Sequence, residues 1–557
     1  MTGGNRLRRL TVLAACLLLG MLCALPTAAQ PPDTGLPPFV VNPDLPSEIV
    51  FNAGQGLGQC HWVDTAILAS PIVGWAYDAG REKSGWRTVE PQDGEFDWAS
   101  MDTQVAKARA LGKRIWLELL TTEGSAPEWA LQAGVPLVGS RGGTPLPWNA
   151  TYQQLLRRAV HAMAEQFDGN PTVDAIIVMA GGCYGEMSIC APQADRRAWE
   201  AAGYSDQRFI EATKQILDIY LEEEHVWEDG TRSRGFVKTP VVLQLGAGLY
   251  GHTLDVIAPV AEYAISQYGM RVWLKYNGWG GNHDLGWLYQ EYAGHTRVGY
   301  EPAGNSDDFL AHPTSYVQAA LDQHASFLCL QQPYYRADTA AWQEARELAA
   351  RYLGAQIVHH GTEVPPELVP GEEHVFIQQW ENRGATPLTF PMRQGTRDVP
   401  ATYEIVIGLW ETGGGSSVLE QSFVPTVPTT EWHAARLITT QSAVRVPSDV
   451  PEGRYEVRVG LRIPNTTAED ERSYFRLIHE GPEDALGRHI VGETTIVRRA
   501  KTATVQSATS PTAVPTAESS EGTNWFTSLL GRLVAWLREL LSGLRYFSRA
   551  QPVARTG

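Results

Sequence analysis

From about residue 48 the chain alternates short continuous apolar runs with longer stretches in which apolar residues recur every three or four positions. The runs are Ile49 to Phe51, Ile72 to Ala76, Arg114 to Leu120, Val173 to Met179, Val241 to Leu245, Arg271 to Tyr276, Arg297 to Tyr300 and Phe327 to Leu330. Runs of this length without internal alternation read as strands buried on both faces, as in a parallel sheet. Between them, Met101 to Leu111, Tyr152 to Phe167, Phe209 to Glu224, Leu254 to Tyr268, Tyr316 to His324 and Ala340 to Leu353 carry helical periodicity. In the second of these, Tyr152, Leu155, Leu156, Ala159, Val160, Met163 and Phe167 form one apolar face. Eight strand and helix alternations predict an α/β fold, a closed (β/α)8 barrel over residues 47–358. An open doubly wound sheet is the rival, but no Gly-x-Gly-x-x-Gly follows the first strand to hold a dinucleotide.

Past residue 358 the period changes to two. The segments 374–384, 402–411, 442–463 and 490–497 alternate apolar and polar residues between Asn-Arg-Gly and Pro-Glu-Gly breaks, which predicts an antiparallel β-sandwich over 359–499. Residues 500–523, rich in Ser, Thr, Ala and Pro, read as a flexible linker. In 524–549 an apolar stripe from Trp525 to Phe547, with Arg532, Arg538, Arg545 and Arg549 on other faces, predicts an amphipathic helix. Such a helix suits an anionic membrane surface, the protein itself or another chain equally.

The amino terminus has Arg6, Arg8 and Arg9, an apolar run from Leu10 to Leu25, then Pro26 to Ala29. That is the pattern of a secretory signal over residues 1–29, followed by a proline-rich extended lead-in over 30–46, and it places the protein outside the cell or at its surface. Loss of the three signal arginines takes the net charge from −17 to −20, which argues against nucleic acid as a partner. Four cysteines then remain, Cys60, Cys183, Cys190 and Cys329, and an oxidising compartment permits any pairing of them. A Cys183–Cys190 bridge would pin the loop between them, and two buried thiols are the alternative. No Cys-x-x-Cys or His-x-x-x-His spacing supports a metal. The 18 Trp and 20 Tyr supply core packing first, and faces for sugar rings second.

Chemistry in a parallel barrel belongs at the carboxyl ends of its strands. Two glutamates stand there: Glu186, just after the fourth run and its glycines, and Glu301, in "RVGYEPAG" at the end of the seventh. A pair of carboxyl groups flanking one bond, one protonated and one ionised, is what glycoside hydrolysis requires. Trp75, Tyr77, Glu118, Gln244, Lys275, Tyr276, Asn277 and Trp279 are candidates for contacts to a substrate at the same mouth.

Glutamates after strands four and seven resemble those of the retaining glycoside hydrolases of clan A, which include the family 42 β-galactosidases. The segment "SGWRTVEPQDGEFDWASMD" (84–102) is similar to the loop after strand two in those barrels. The layout also resembles a bacterial family of unknown function, numbered 4832, which joins such a barrel to a C-terminal sandwich. The resemblance implies an exported glycoside hydrolase acting on a β-linked oligo- or polysaccharide without cofactor or metal. It casts Glu186 as acid/base, Glu301 as nucleophile and Tyr276 as the strand-six aromatic near the nucleophile. One position departs: clan A has Asn before the acid/base glutamate, and this chain has Gly185. A surface carbohydrate-binding protein without catalysis and a structural scaffold are the alternative expectations.

Overall fold

The computed structural model describes residue 39 and residues 48–499, except 62, 79–83, 123, 140–142, 188, 190–192, 247–252, 280–290, 303–306, 414 and 467–472. The expected signal at 1–29, most of the lead-in, the 500–523 linker and the 524–549 helix therefore lie outside the described residues. Among those described, no helix is long and apolar enough to cross a membrane.

Eight strands close into a barrel: β1 (Gly56–Gln59), β2 (Trp75–Asp78), β3 (Arg114–Glu118), β4 (Val173–Ile177), β5 (Val241–Leu245), β6 (Val272–Trp279), β7 (Val298–Pro302) and β8 (Phe327–Leu330). Each pairs in parallel with its neighbours in sequence, and β8 returns to β1 with Gly58 opposite Cys329. Helices pack outside, including α1 (Ala99–Ala110), α2 (Ala150–Phe167), α3 (Asp206–Leu221), α4 (Thr253–Tyr268), α5 (Pro313–Asp322) and α6 (Ala340–Tyr352). The start of α2 is fixed by Asn149, whose side chain accepts the Tyr152 amide at 2.8 Å. Six residues of the stripe expected from spacing, Tyr152, Leu156, Ala159, Val160, Met163 and Phe167, are buried, together with His161 and Ala164, and the seventh, Leu155, is half-buried.

The first strand is a correction: it is Gly-Leu-Gly-Gln at 56–59, not the apolar run at 49–51. The reason is steric. Inside the barrel Trp75 stacks on Trp116 at 3.8 Å between ring centroids, with Phe327 edge-on to both. A Cβ on Gly58 would stand 2.2 Å from the Trp75 ring, and one on Gly299 2.2 Å from Phe327. Glycine on β1 and β7 makes room for this aromatic floor, which also holds Trp273 and Ala175. The same glycines leave β1 without a readable hydrophobic pattern.

The carboxyl-terminal part carries two sheets. One contains β9 (Ile357–Glu363), β10 (Glu373–Asn382) and β13 (Leu437–Arg445) in the order β9-β10-β13. The other contains β11 (Glu404–Glu411), β12 (Ser417–Phe423), β14 (Gly453–Arg462) and β15 (His489–Ile496) in the order β15-β14-β11-β12. Every second residue of β13 is buried, and Phe376, Trp380 and Ile438 share one core with Ile405, Leu409 and Val457 of the second sheet. The predicted sandwich is thus present, with β9 and β12 added to the strands read from the sequence.

Candidate active site

Above the aromatic floor the barrel interior turns polar. Glu118, Gln244, Lys275, Asn277 and Glu301 are all buried there, on β3, β5, β6 and β7. The placement follows from the two-residue period of a strand, which sends Trp273, Lys275 and Asn277 to one side of β6 and Leu274 and Tyr276 to the other.

Glu301 is enclosed by three donors. Lys275 Nζ bonds its Oε2, His61 Nε2 lies 2.8 Å from Oε1, and Gln331 Nε2 donates to Oε1 at 3.1 Å. Burial pushes the carboxyl up, but Lys275 and His61 outweigh it, and the group is held well below the usual carboxylate range. Glu301 is therefore ionised. Lys275 Nζ also sits 4.6 Å above the centre of the Tyr77 ring, whose negative face favours the cation.

Glu186 arrives by a different route. After β4 the chain turns back on itself: Gly182 N donates to Glu186 O at 2.8 Å, Ala180 N to Gly185 O at 2.7 Å, and Met187 N to Gln244 O at 3.0 Å. The turn passes through left-handed backbone at Gly181, Tyr184 and Gly185, with φ of 91°, 53° and 78°. It presents the half-buried Glu186 to β6, where Asn277 Nδ2 donates to its Oε1 and reaches Gln244 Oε1 at 3.3 Å. Gln244 Nε2 continues to Glu118 Oε1 at 3.4 Å. The Asn277 Oδ1 atom is buried and accepts from no described group.

Gly185 has a reason of its own. A Cβ there would lie 1.9 Å from Met179 Cε and 2.9 Å from Glu118 Oε1, and φ is +78°, so a side chain at this position strains the backbone and requires the Met179 side chain to move. An amide does reach Glu186, from Asn277 rather than from the preceding residue.

The other sequence candidates divide. Tyr77, Glu118, Gln244, Lys275 and Asn277 gather with the two glutamates. Trp75 lies deeper, in the aromatic floor, with Nε1 donating to Gly56 O at 3.4 Å. Tyr276 faces away from the cavity, packing against Tyr300 at 6.2 Å in the core beneath the helices. Trp279 ends β6, but its side chain is outside the described residues, as are those of Cys183 and Cys190. The described disulfide joins Cys60 to Cys329, across the β1–β8 seam. The Cys60 and Cys329 sulfurs and a Glu301 carboxylate oxygen lie within 4.8 Å of one another. The two sulfurs are joined in the disulfide, so neither is a thiolate, and the Glu301 carboxylate is already paired with Lys275.

His61 and Gln331 were not among the sequence candidates. His61 was hidden because its strand was misplaced. It follows β1 with φ of 76°, unusual for a residue with a side chain. Gln331 immediately follows β8, and the strand-end rule applied to "FLCLQQP" finds it. The 84–102 segment is architectural: Glu90 binds Trp86 Nε1 at 2.7 Å, the Gly94 amide at 2.9 Å and Arg158, and so ties the loop after β2 to α2.

No protein-family profile matches the chain, and the resemblance to family 4832 finds no support. No curated protein matches it. Solved structures similar to it include a glycosylated family 10 endo-β-1,4-xylanase from Gloeophyllum trabeum, at 12% identity and a TM-score of 0.33, covering 53% of this chain and 96% of that one. A family 10 glycoside hydrolase from Paenibacillus barcinonensis is similar at 12% identity and a TM-score of 0.30, over 50% of this chain and 84% of that one. A catalytic mutant of a family 42 β-galactosidase from G. stearothermophilus is similar at 10% identity and a TM-score of 0.34, over 58% of this chain and 60% of that one. These are likenesses only, and the barrel stands on its own strand pairing.

Proposed function

We propose that the protein is an exported glycoside hydrolase that cleaves a β-linked saccharide with retention, with Glu301 as nucleophile and Glu186 as acid/base. One observation carries the reading: both carboxylates are drawn to the same face of β6, Glu301 by Lys275 and Glu186 by Asn277. Side chains two apart on a strand stand roughly 6.6 Å apart at the backbone. Two carboxylates held from successive inward positions of one strand support a site in which both act on one bond.

In this reading the ionised Glu301 attacks the anomeric carbon, forming an ester bond to it as the bond to the leaving oxygen breaks. Glu186 gives that oxygen its proton. A water then enters, Glu186 takes its proton, and the hydroxide attacks the same carbon, releasing Glu301 as carboxylate. Asn277 Oδ1 offers an acceptor to a sugar hydroxyl, and Tyr77 lines the cavity beside Lys275. Release of aryl alcohol from a panel of aryl β-glycosides tests the assignment. Glu301→Gln abolishes turnover on all of them. Glu186→Gln still forms the glycosyl ester from leaving groups that need no proton but releases the sugar slowly for want of the base, and with poor leaving groups it loses the first step as well. Equal activity of Glu301→Gln and the parent would contradict the nucleophile assignment.

A second reading, saccharide binding without cleavage, has one observation in its favour: both oxygens of Glu301 are engaged, by Lys275 on one side and by His61 and Gln331 on the other. It predicts saturable binding of oligosaccharide by the parent with no product, unchanged in Glu186→Gln.

A further inference from the structure

A cavity of about 690 Å³ opens at the opposite end of the barrel from Glu301, within the roughly 300–1,000 Å³ that small-molecule sites occupy. Its barrel side is made by residues at the amino ends of strands, such as Val173, Pro240 and Arg297, and its other side by sandwich residues such as Tyr403 and Tyr474.

Charge sets this cavity apart. Seven Lys and Arg residues line it, against two carboxylates, Asp174 and Asp398, although the chain as a whole carries −17. The two acids are already engaged: Asp174 Oδ2 accepts the Gly54 amide at 2.5 Å, and Asp398 Oδ1 lies 3.2 Å from Arg393. Arg271 donates to the carbonyls of Leu221 and Phe236, so it contributes charge more than free donors. Arg297 differs. Its guanidinium lies 5.0 Å from the centre of the Trp273 ring, and Nη1 is buried with no hydrogen-bond partner among the described residues. Burial pulls Arg297, Lys113 and Arg271 below their ordinary pKa values, with nearby Asp174 and Asp398 opposing this at the two arginines. An unmade hydrogen bond on a desolvated cation is a standing cost that an anionic partner removes.

We propose that this cavity binds a small polyanion, a molecule with two or more carboxylate, phosphate or sulfate groups. Arg297 would hold one group at the floor, and Lys238 and Arg476 would meet another at the exposed rim. Guanidinium groups suit such oxyanions because their donors form a planar fork. The site is independent of the mouth and of the hydrolase reading.

Isothermal titration calorimetry on the full chain tests it, with inorganic phosphate, citrate and trigalacturonate as probes and neutral galactotriose as control, at low and raised salt. The expected result is binding of at least one anion, weakened by salt, with none for galactotriose. The double variant Lys238→Glu/Arg476→Glu changes only exposed side chains. It is expected to melt like the parent and to bind about tenfold or more weakly, because two rim charges are reversed. Glu301→Gln leaves the affinity unchanged. Tighter binding of trigalacturonate than of phosphate and citrate assigns the site to acidic saccharides, and the reverse order assigns it to free oxyanions. No binding of any anion at millimolar concentration, equal affinity in the double variant, or loss of binding in Glu301→Gln would overturn the proposal.

Discussion

Replacing Lys275 by methionine removes the cation from Glu301 while keeping most of the side-chain volume. Lys275 is fully buried and the Glu301 side chain is 4% exposed, so water cannot take the place of the ammonium. Removing one partner of a buried, hydrogen-bonded ion pair costs about 3–5 kcal/mol. For a barrel of roughly 300 residues, at about 2 cal/mol/K of unfolding entropy per residue, 1 kcal/mol moves the midpoint by about 1.5 °C, so the expected loss is about 5–8 °C. The pH dependence has a definite sign. Glu301 is depressed below its free value of 4.5, so its contribution is complete above that pH and is lost as pH falls below it. The gap between parent and Lys275→Met therefore narrows on acidification. Adding Glu301→Gln to Lys275→Met removes the stranded charge and recovers more than half of the loss. Thermal unfolding of the parent, both single variants and the double variant across this pH range is the assay. A Lys275→Met midpoint within about 2 °C of the parent, or a double variant no more stable than the single one, would refute the pairing energetics.

Three further outcomes follow from the same geometry. Gly185→Asn, which introduces the residue expected there from the clan A resemblance, is expected to lower the melting temperature and to gain no activity, because φ of +78° strains a residue with a side chain and its Cβ would displace Met179 Cε; a stable variant with raised turnover would contradict this. In the sandwich, burial first and the neighbouring His479 second pull His489 from 6.5 down to about 4, and neither ring nitrogen has a hydrogen-bond partner among the described residues. Its neutral form is therefore favoured in the fold, and stability falls as pH drops from 6.5 to about 4. The fall is about 3 kcal/mol from this residue, and His489→Phe should flatten the dependence of the sandwich unfolding transition over that range. The Cys60–Cys329 bridge closes a loop of 269 residues. Chain entropy makes it worth at most about 6 kcal/mol, so reductant should lower the melting temperature of the parent and move the Cys60→Ser/Cys329→Ser variant less.

Most of the barrel was legible because seven of its strands are apolar runs between helical periods. β1 was not: the glycines that clear space for Trp75 and Phe327 erase its pattern, and His61 was lost with it. Alternation along β6 should have separated Tyr276 from Lys275 and Asn277, since neighbours on a strand face opposite ways. Placing Trp75 in the floor needed the register between strands, which no single run encodes. The grouping of Glu118, Gln244, Asn277 and Glu186 is likewise tertiary, because it joins β3, β5, β6 and the loop after β4. Glu90 shows the opposite hazard: a motif near the mouth in sequence proves to be a buried brace.

The proposed chemistry turns on a covalent bond between Glu301 and the sugar. Incubating the chain with a 2-deoxy-2-fluoro β-glycoside of an activated leaving group, which slows release of the glycosyl group, and locating the added mass by peptide mass spectrometry tests that directly. One fluoroglycosyl group is expected, on Glu301, with none in Glu301→Gln. A label on any other carboxylate, or continued turnover of such glycosides by Glu301→Gln, would contradict it.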